Sequence, residues 1–169
     1  MVTEIEGHAD NAAAAVFGGT VAVVDGGVKR LGVHDSIQPV VAIPSAHLKT
    51  SEARTALSSS IPIEAVARSL GRLAFLIEGI RDANPDVLRH ARGDEIHELP
   101  RASLSPVTGE LIDAAVRGGA LHACWSGAGP SVLALTTSET AGRVIGAMGG
   151  VLGPEGEVLA LKIDYDGLI

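Results

Sequence analysis

The sequence has a single cysteine, so no intramolecular disulfide can form and no Cys-based zinc site is available. Aromatics are nearly absent: two Phe, one Trp and one Tyr. That is too few for a platform on which nucleic-acid bases would stack. There is no block of Lys and Arg; 13 basic residues stand against 20 acidic ones, for a formal charge of −7. This balance excludes a nucleic-acid backbone as the main partner. No apolar run looks fit for a membrane. The longest stretch without formal charge, Gly118 to Ser138, contains His122, Ser126 and Pro130, and reads as strand, turn and strand. The six histidines include no HExxH or other metal spacing, so no metal site is expected. Glu4, Glu6 and Asp10 stand where a secretory signal would carry its cations. A soluble, cytoplasmic protein is the expectation.

What is there is ample apolar material: 46% hydrophobic residues over 169, enough for one ordinary domain or for a domain plus a piece of another. Residues 12–16 form a small-residue helical run. TVAVVDGGVKRLGV reads as two β runs around Asp25-Gly26, because Asp-Gly supplies the positive φ of a primed turn. QPVVAIPS is a short β run bounded by Pro39 and Pro44. Thr50 or Ser51 is the expected cap of a helix over SEARTALS. After Pro62, the residues Ile63, Val66, Ala67, Leu70, Leu73, Ala74, Ile77 and Ile80 recur at helical spacing and predict one buried stripe. Asn84-Pro85 ends that helix and opens another.

ARGDEIHELPRASLSP has no period and reads as a polar loop. TGELIDAAVRGG predicts a helix capped by Thr108 and stopped by Gly118-Gly119. Two β runs then flank SGAGPS, Ser138 caps a further helix, and EVLALKIDYDG alternates as a last strand. From about residue 44 this order predicts a two-layer α+β domain, with helices on one face of a small antiparallel sheet. The first 43 residues look like the tail of a different unit. Its hairpin, short of sheet partners, is expected to fray.

Each candidate site has an ordinary reading beside its chemical one. SGAGPS can bring backbone N–H groups to an anion, but it is neither a Walker A loop nor a GxGxxG fingerprint, and by itself it reads as a tight turn. EGHADN packs Glu6, His8, Asp10 and Asn11 ahead of an alanine-rich helix; it can seat a polar substrate or simply cap that helix. Arg54 and Arg101 are isolated guanidiniums suited to a carboxylate or to bulk solvent. Cys124, in an apolar run, reads as a buried inert thiol. Composition and spacing alone stop at a soluble α+β domain without a reaction.

The ordered combination of EGHADNAAAAVFGG, PSAHLKTSEAR, GDEIHELPR and SGAGPSVLAL resembles the homoserine kinases of the GHMP kinase superfamily. SGAGPS is the superfamily's mark, while EGHADN and TSEAR point to the homoserine branch. The resemblance implies transfer of the γ-phosphate of ATP, with Mg2+, to the side-chain hydroxyl of L-homoserine. It implies a ferredoxin-like C-terminal GHMP kinase domain over residues 44–169, preceded over residues 1–43 by a remnant of the N-terminal domain.

By the same resemblance, His8, Thr50, Arg54 and Arg101 are implied to bind substrate, the two arginines at its carboxylate, and Asn11 to lie near the reacting hydroxyl. Gly127, Ala128 and Gly129, in the cofactor-binding part, match the third superfamily motif, a loop that packs beside the phosphate-binding loop. Ala9 stands where these kinases usually have Pro, and Leu99-Pro100 where they have Pro-Tyr. Their ATP loop and acidic metal ligand lie upstream of EGHADN and are expected outside this stretch, so the chain alone is expected not to turn over ATP. A homodimer is left open. Two alternatives remain: a GHMP kinase acting on another small alcohol, which the arginine pair argues against because a sugar alcohol has no carboxylate, and a non-catalytic α+β ligand-binding or oligomerisation module.

Overall fold

The computed structural model describes residues 9–168, and side chains from residue 11 onward. Helix α1 (Ala9–Phe17) leads into a hairpin of β1 (Thr20–Val24) and β2 (Gly27–Leu31). Its turn uses Asp25 at φ 47 and Gly26 at φ 79, the left-handed pair that a type I′ turn needs. The hairpin forms its own two-stranded sheet. The chain's tail returns to it, with Gly19 N donating to the Asp164 carbonyl at 2.6 Å and Leu168 N to that of Val16 at 3.1 Å.

Strand β3 (Gln38–Pro44) is followed by four helices: α2 (Thr50–Thr55), α3 (Ile63–Asp82), α4 (Pro85–His90) and α5 (Glu98–Arg101). A 3-10 turn over Ala102–Leu104 precedes α6 (Pro106–Gly118). Then come β4 (His122–Trp125), β5 (Val132–Thr136), α7 (Ala141–Leu152) and β6 (Gly156–Ala160). The four strands form one antiparallel sheet in the order β4-β5-β3-β6. With α6 leading into β4 and α7 joining β5 to β6, this is the two-layer ferredoxin-like arrangement.

The boundary expected between residues 43 and 44 falls inside β3. That strand pairs on both sides: Val40 lies opposite Ala134 and Ala160, and Ala42 opposite Val132 and Val158. Residues 38–43 therefore belong to the C-terminal sheet, because removing them would leave β5 and β6 without their common neighbour.

Alternation selects which side chains enter the core. Val40 and Ala42 of β3 and Val132 and Ala134 of β5 face α6 and α7, where Leu111, Ala115, Val144 and Met148 meet them, all fully buried. Each such Leu or Val contributes about 1.5–3 kcal/mol relative to an exposed one. A smaller cluster of Ile37, Ile80 and Leu88 packs with Leu121 and Leu135. It draws the end of α3 and helix α4 against Leu121 and Leu135. Asn84 caps α4 as its Asn-Pro sequence predicts, its Oδ1 accepting from the Asp86 and Val87 amides.

Several local expectations are revised. Thr50 and Ser51 lie inside α2, whose cap position is Lys49, and α7 starts after Thr140 rather than at a Ser138 cap. Helix α6 begins at Pro106, and the fully buried Thr108 is not its cap. The Thr108 hydroxyl donates to the Pro130 carbonyl at 2.9 Å and shares a hydrogen bond with Ser105 Oγ at 2.8 Å, which ties α6 to the 126–131 loop. Residues 98–104 are helical rather than loop; their polar side chains bond to backbone groups and so leave no apolar period to read. The apolar stripe of α3 is largely uncovered: Ile80 is buried, but Leu70 is 63% and Leu73 51% exposed. Among the described residues no element packs over that face, and it forms the wall of a cleft.

Candidate functional site

A cleft of about 950 Å3 opens between α2, α3, the segment 91–101 and the 126–131 loop, with β4 along it. Asn11, Thr50, Arg54, Arg101, Gly127 and Ala128 all line it. Six positions expected from four separate sequence segments therefore share one cavity. Gly129 does not line it, and His8 lies outside the described residues.

Arg101 ends α5 and is only 8% exposed. Its Nε donates to the Ala53 carbonyl at 3.1 Å and its Nη1 to the Gly127 carbonyl at 3.3 Å. A guanidinium has five N–H donors in a fixed fork, so two hydrogen bonds to the protein orient it and leave others for a ligand. These bonds also join α2, which carries Arg54, to the SGAGPS loop. Arg54 is exposed on α2. Among the described residues no carboxylate forms an ion pair with Arg54 or Arg101. Two unpaired guanidiniums lining one cavity offer a docking point for an anion, and their planar forks suit a carboxylate.

The acidic side chains of GDEIHELPR are already committed. Glu95 accepts from Arg68 Nε at 2.8 Å, Arg68 Nη2 at 2.6 Å and Arg72 Nη1 at 2.7 Å. Hydrogen bonds from Arg68 first, then Arg72, hold its carboxyl at about 2, and the clamp fixes the segment to α3. Glu98 Oε1 accepts from the Trp125 amide at 2.8 Å and Oε2 from the Asp94 amide at 3.2 Å, which staples the segment to β4. The sequence shows these acids but not their partners, because the arginines and the β4 amide are more than twenty positions away.

His122 and Cys124 of β4 also line the cleft. His122, at the start of β4, is 4% exposed, and burial above all holds its imidazole down at about 4. Cys124 lines the same wall, and burial pushes its thiol up to about 12, in keeping with an inert thiol.

The 126–131 loop is closed by Ser126 N donating to the Ser131 carbonyl at 2.8 Å and Gly129 N donating to that of Ser126 at 3.1 Å. The amides of Gly127 and Ala128 have no partner among the described residues. Gly129, at φ 81, lies so close to the Trp125 ring that an added Cβ would collide with it. Two open amides fit a loop beside a phosphate group but fall short of a complete phosphate cradle. No group of three or more His, Cys, Asp or Glu among the described residues can hold a metal ion. None of the described helices is long and apolar enough to cross a membrane.

Residues 63–152 match the family model for the C-terminal domain of GHMP kinases. The chain is 37% identical over 153 residues to a homoserine kinase of Prochlorococcus marinus strain MIT 9312, a match covering 88% of this chain and 49% of that one. A homoserine kinase of Synechococcus sp. strain CC9311 matches at the same identity and coverage. The chain thus spans about half the length of the curated relatives it matches. Among solved structures, homoserine kinase from Cytophaga hutchinsonii superposes with a TM-score of 0.88 at 28% identity, over 95% of this chain and 53% of that one. Mevalonate kinase of L. major in complex with R-mevalonate superposes at a TM-score of 0.65 and 12% identity, over 87% of this chain and 48% of that one, which bears on the fold alone.

Proposed function

The chain belongs to the GHMP kinase family, and from that membership we propose that it forms the substrate-holding part of a homoserine kinase, an ATP-dependent enzyme that makes O-phospho-L-homoserine on the route to threonine. The observation that carries this reading is the convergence of Arg54 and Arg101 on one cleft with no acidic partner among the described residues. The two guanidiniums hold the α-carboxylate of L-homoserine, and the Thr50 hydroxyl assists from the first turn of α2. Asn11, on α1, orients the side-chain hydroxyl, and His8 is assigned to the same substrate.

Phosphoryl transfer asks the protein chiefly for positioning and charge stabilisation. Fixing one end of a short substrate confines its hydroxyl to a small volume. Gly127 and Ala128, whose amides are open among the described residues, lie on the phosphate side of the site. ATP supplies the phosphoryl group. The loop that grips the nucleotide, and the acid that holds Mg2+, lie outside the described residues. The reaction takes place in the cytoplasm.

The test is direct. In the purified chain, L-homoserine should move the Nε resonances of both Arg54 and Arg101 in a saturable titration, and Arg54→Ala should abolish the response. An absence of shifts at both arginines at tens of millimolar ligand refutes the assignment of this cleft.

A further inference from the structure

The pair formed by Asp94 and His97 has no role in the reading above, yet both residues line the same cleft as Arg101. Asp94 Oδ1 accepts from the Ile96 amide at 2.7 Å and the His97 amide at 3.2 Å, and Oδ2 lies 2.7 Å from His97 Nδ1. A carboxylate can only accept, so in the neutral ring this contact places the proton on Nδ1 and leaves Nε2 as a lone-pair acceptor. Nε2 has no partner among the described residues, and the His97 side chain is 52% exposed. The Asp94 amide is itself held by Glu98 at 3.2 Å, so the imidazole sits on a braced support.

His97 is the residue just before α5 and Arg101 is its last, four positions on. That spacing places the two on one helical face, about 5–6 Å apart between Cβ atoms. A hydrogen-bond acceptor backed by an anion therefore stands one turn from a guanidinium that is free to take a carboxylate. An α-amino acid presents the complementary pattern, with an ammonium one carbon away from its carboxylate.

We infer that His97 Nε2, oriented by Asp94, accepts a hydrogen bond from the α-ammonium of the substrate whose carboxylate meets Arg101. This makes His97 the residue that selects α-amino acids over hydroxy acids of the same length. The inference rests on the proposed function and adds to it the recognition of the ammonium.

The test compares L-homoserine with 4-hydroxybutanoate, which lacks only the amino group, in titrations of the full chain read at Arg101 Nε and at the His97 ring. Homoserine should bind about tenfold more tightly, the size of one charge-assisted hydrogen bond at a half-exposed site, and it alone should shift the His97 ring. His97→Ala should remove that preference while leaving 4-hydroxybutanoate unaffected, and His97→Gln, which retains an acceptor, should restore part of it. Equal binding of the two ligands to the unaltered chain, or an equal loss for both in His97→Ala, overturns the inference while the carboxylate site stands. Absence of any response at Arg101 to either ligand overturns the proposed function and the inference with it.

Discussion

Acidification to pH 5 should destabilise this protein chiefly through one side chain, His122. The ring is 4% exposed, its Nδ1 has no hydrogen-bond partner among the described residues, and burial is the main cause of a pKa held at about 4 against an ordinary 6.5. The hydrogen bond to the Leu88 backbone works against that shift, and the nearby Arg92 charge adds to it. Because the folded value is the lower one, the unfolded chain takes up the proton first as pH falls below 6.5. The native state remains neutral there until about 4. Stability from this group is therefore complete above pH 6.5 and declines as the solution is acidified toward 4. At pH 5 the loss is about 2 kcal/mol, from about 1.5 units at 1.36 kcal/mol each.

Urea unfolding at pH 7 and at pH 5 measures it, in the native sequence and in His122→Leu. Most carboxylates stay ionised at pH 5, and their contribution is common to both proteins. The native sequence should lose about 2 kcal/mol more than the variant over this interval. Equal losses would show that the imidazole is hydrated or charged in the folded state, and the burial argument would fail.

Lower pH should engage the Glu95 clamp. Its carboxyl is held at about 2 by Arg68 and Arg72, below the ordinary 4.5, so its stabilisation is present above pH 4.5 and fades as pH drops toward 2. Glu95→Gln should flatten the acid limb of an unfolding-versus-pH curve, and an unchanged limb would discount the clamp. Gly79→Ala should reverse the usual benefit of alanine in a helix, about 1 kcal/mol, because the added Cβ would meet Leu88 Cγ at 2.6 Å. We expect a loss of about 1–3 kcal/mol, as in other overpacked cores, and a raised Tm would contradict it. Cys124 should react with a disulfide reagent orders of magnitude more slowly in the native protein than in urea, since its thiol stands at about 12. Comparable rates would place that thiol in water.

Much of the local structure was legible in the sequence because its signals are short and contiguous. The Asp25-Gly26 hairpin, the Asn84 cap and the Gly118-Gly119 stop are decided by turn chemistry within a few residues. The order of EGHADN, TSEAR, GDEIHELPR and SGAGPS was enough to suggest the family. Other readings failed where a partner was distant. Thr108 looks like a cap in sequence, and only the approach of Pro130 shows that its hydroxyl serves the loop instead. The α3 stripe has the period of a buried face, yet period reports only which residues share a side of the helix.

The sequence by itself determined the alternation of strands and helices, the acidic balance, the tight turns and the motif order, all set by residues near one another along the chain. Only the tertiary structure decided that β3 runs between β5 and β6, that Arg101 is braced by Ala53 and Gly127, and that the 94–101 segment faces the same cleft as Arg54. Those outcomes depend on contacts between segments far apart in the chain, where packing and hydrogen-bond geometry choose the partner and local propensity is silent.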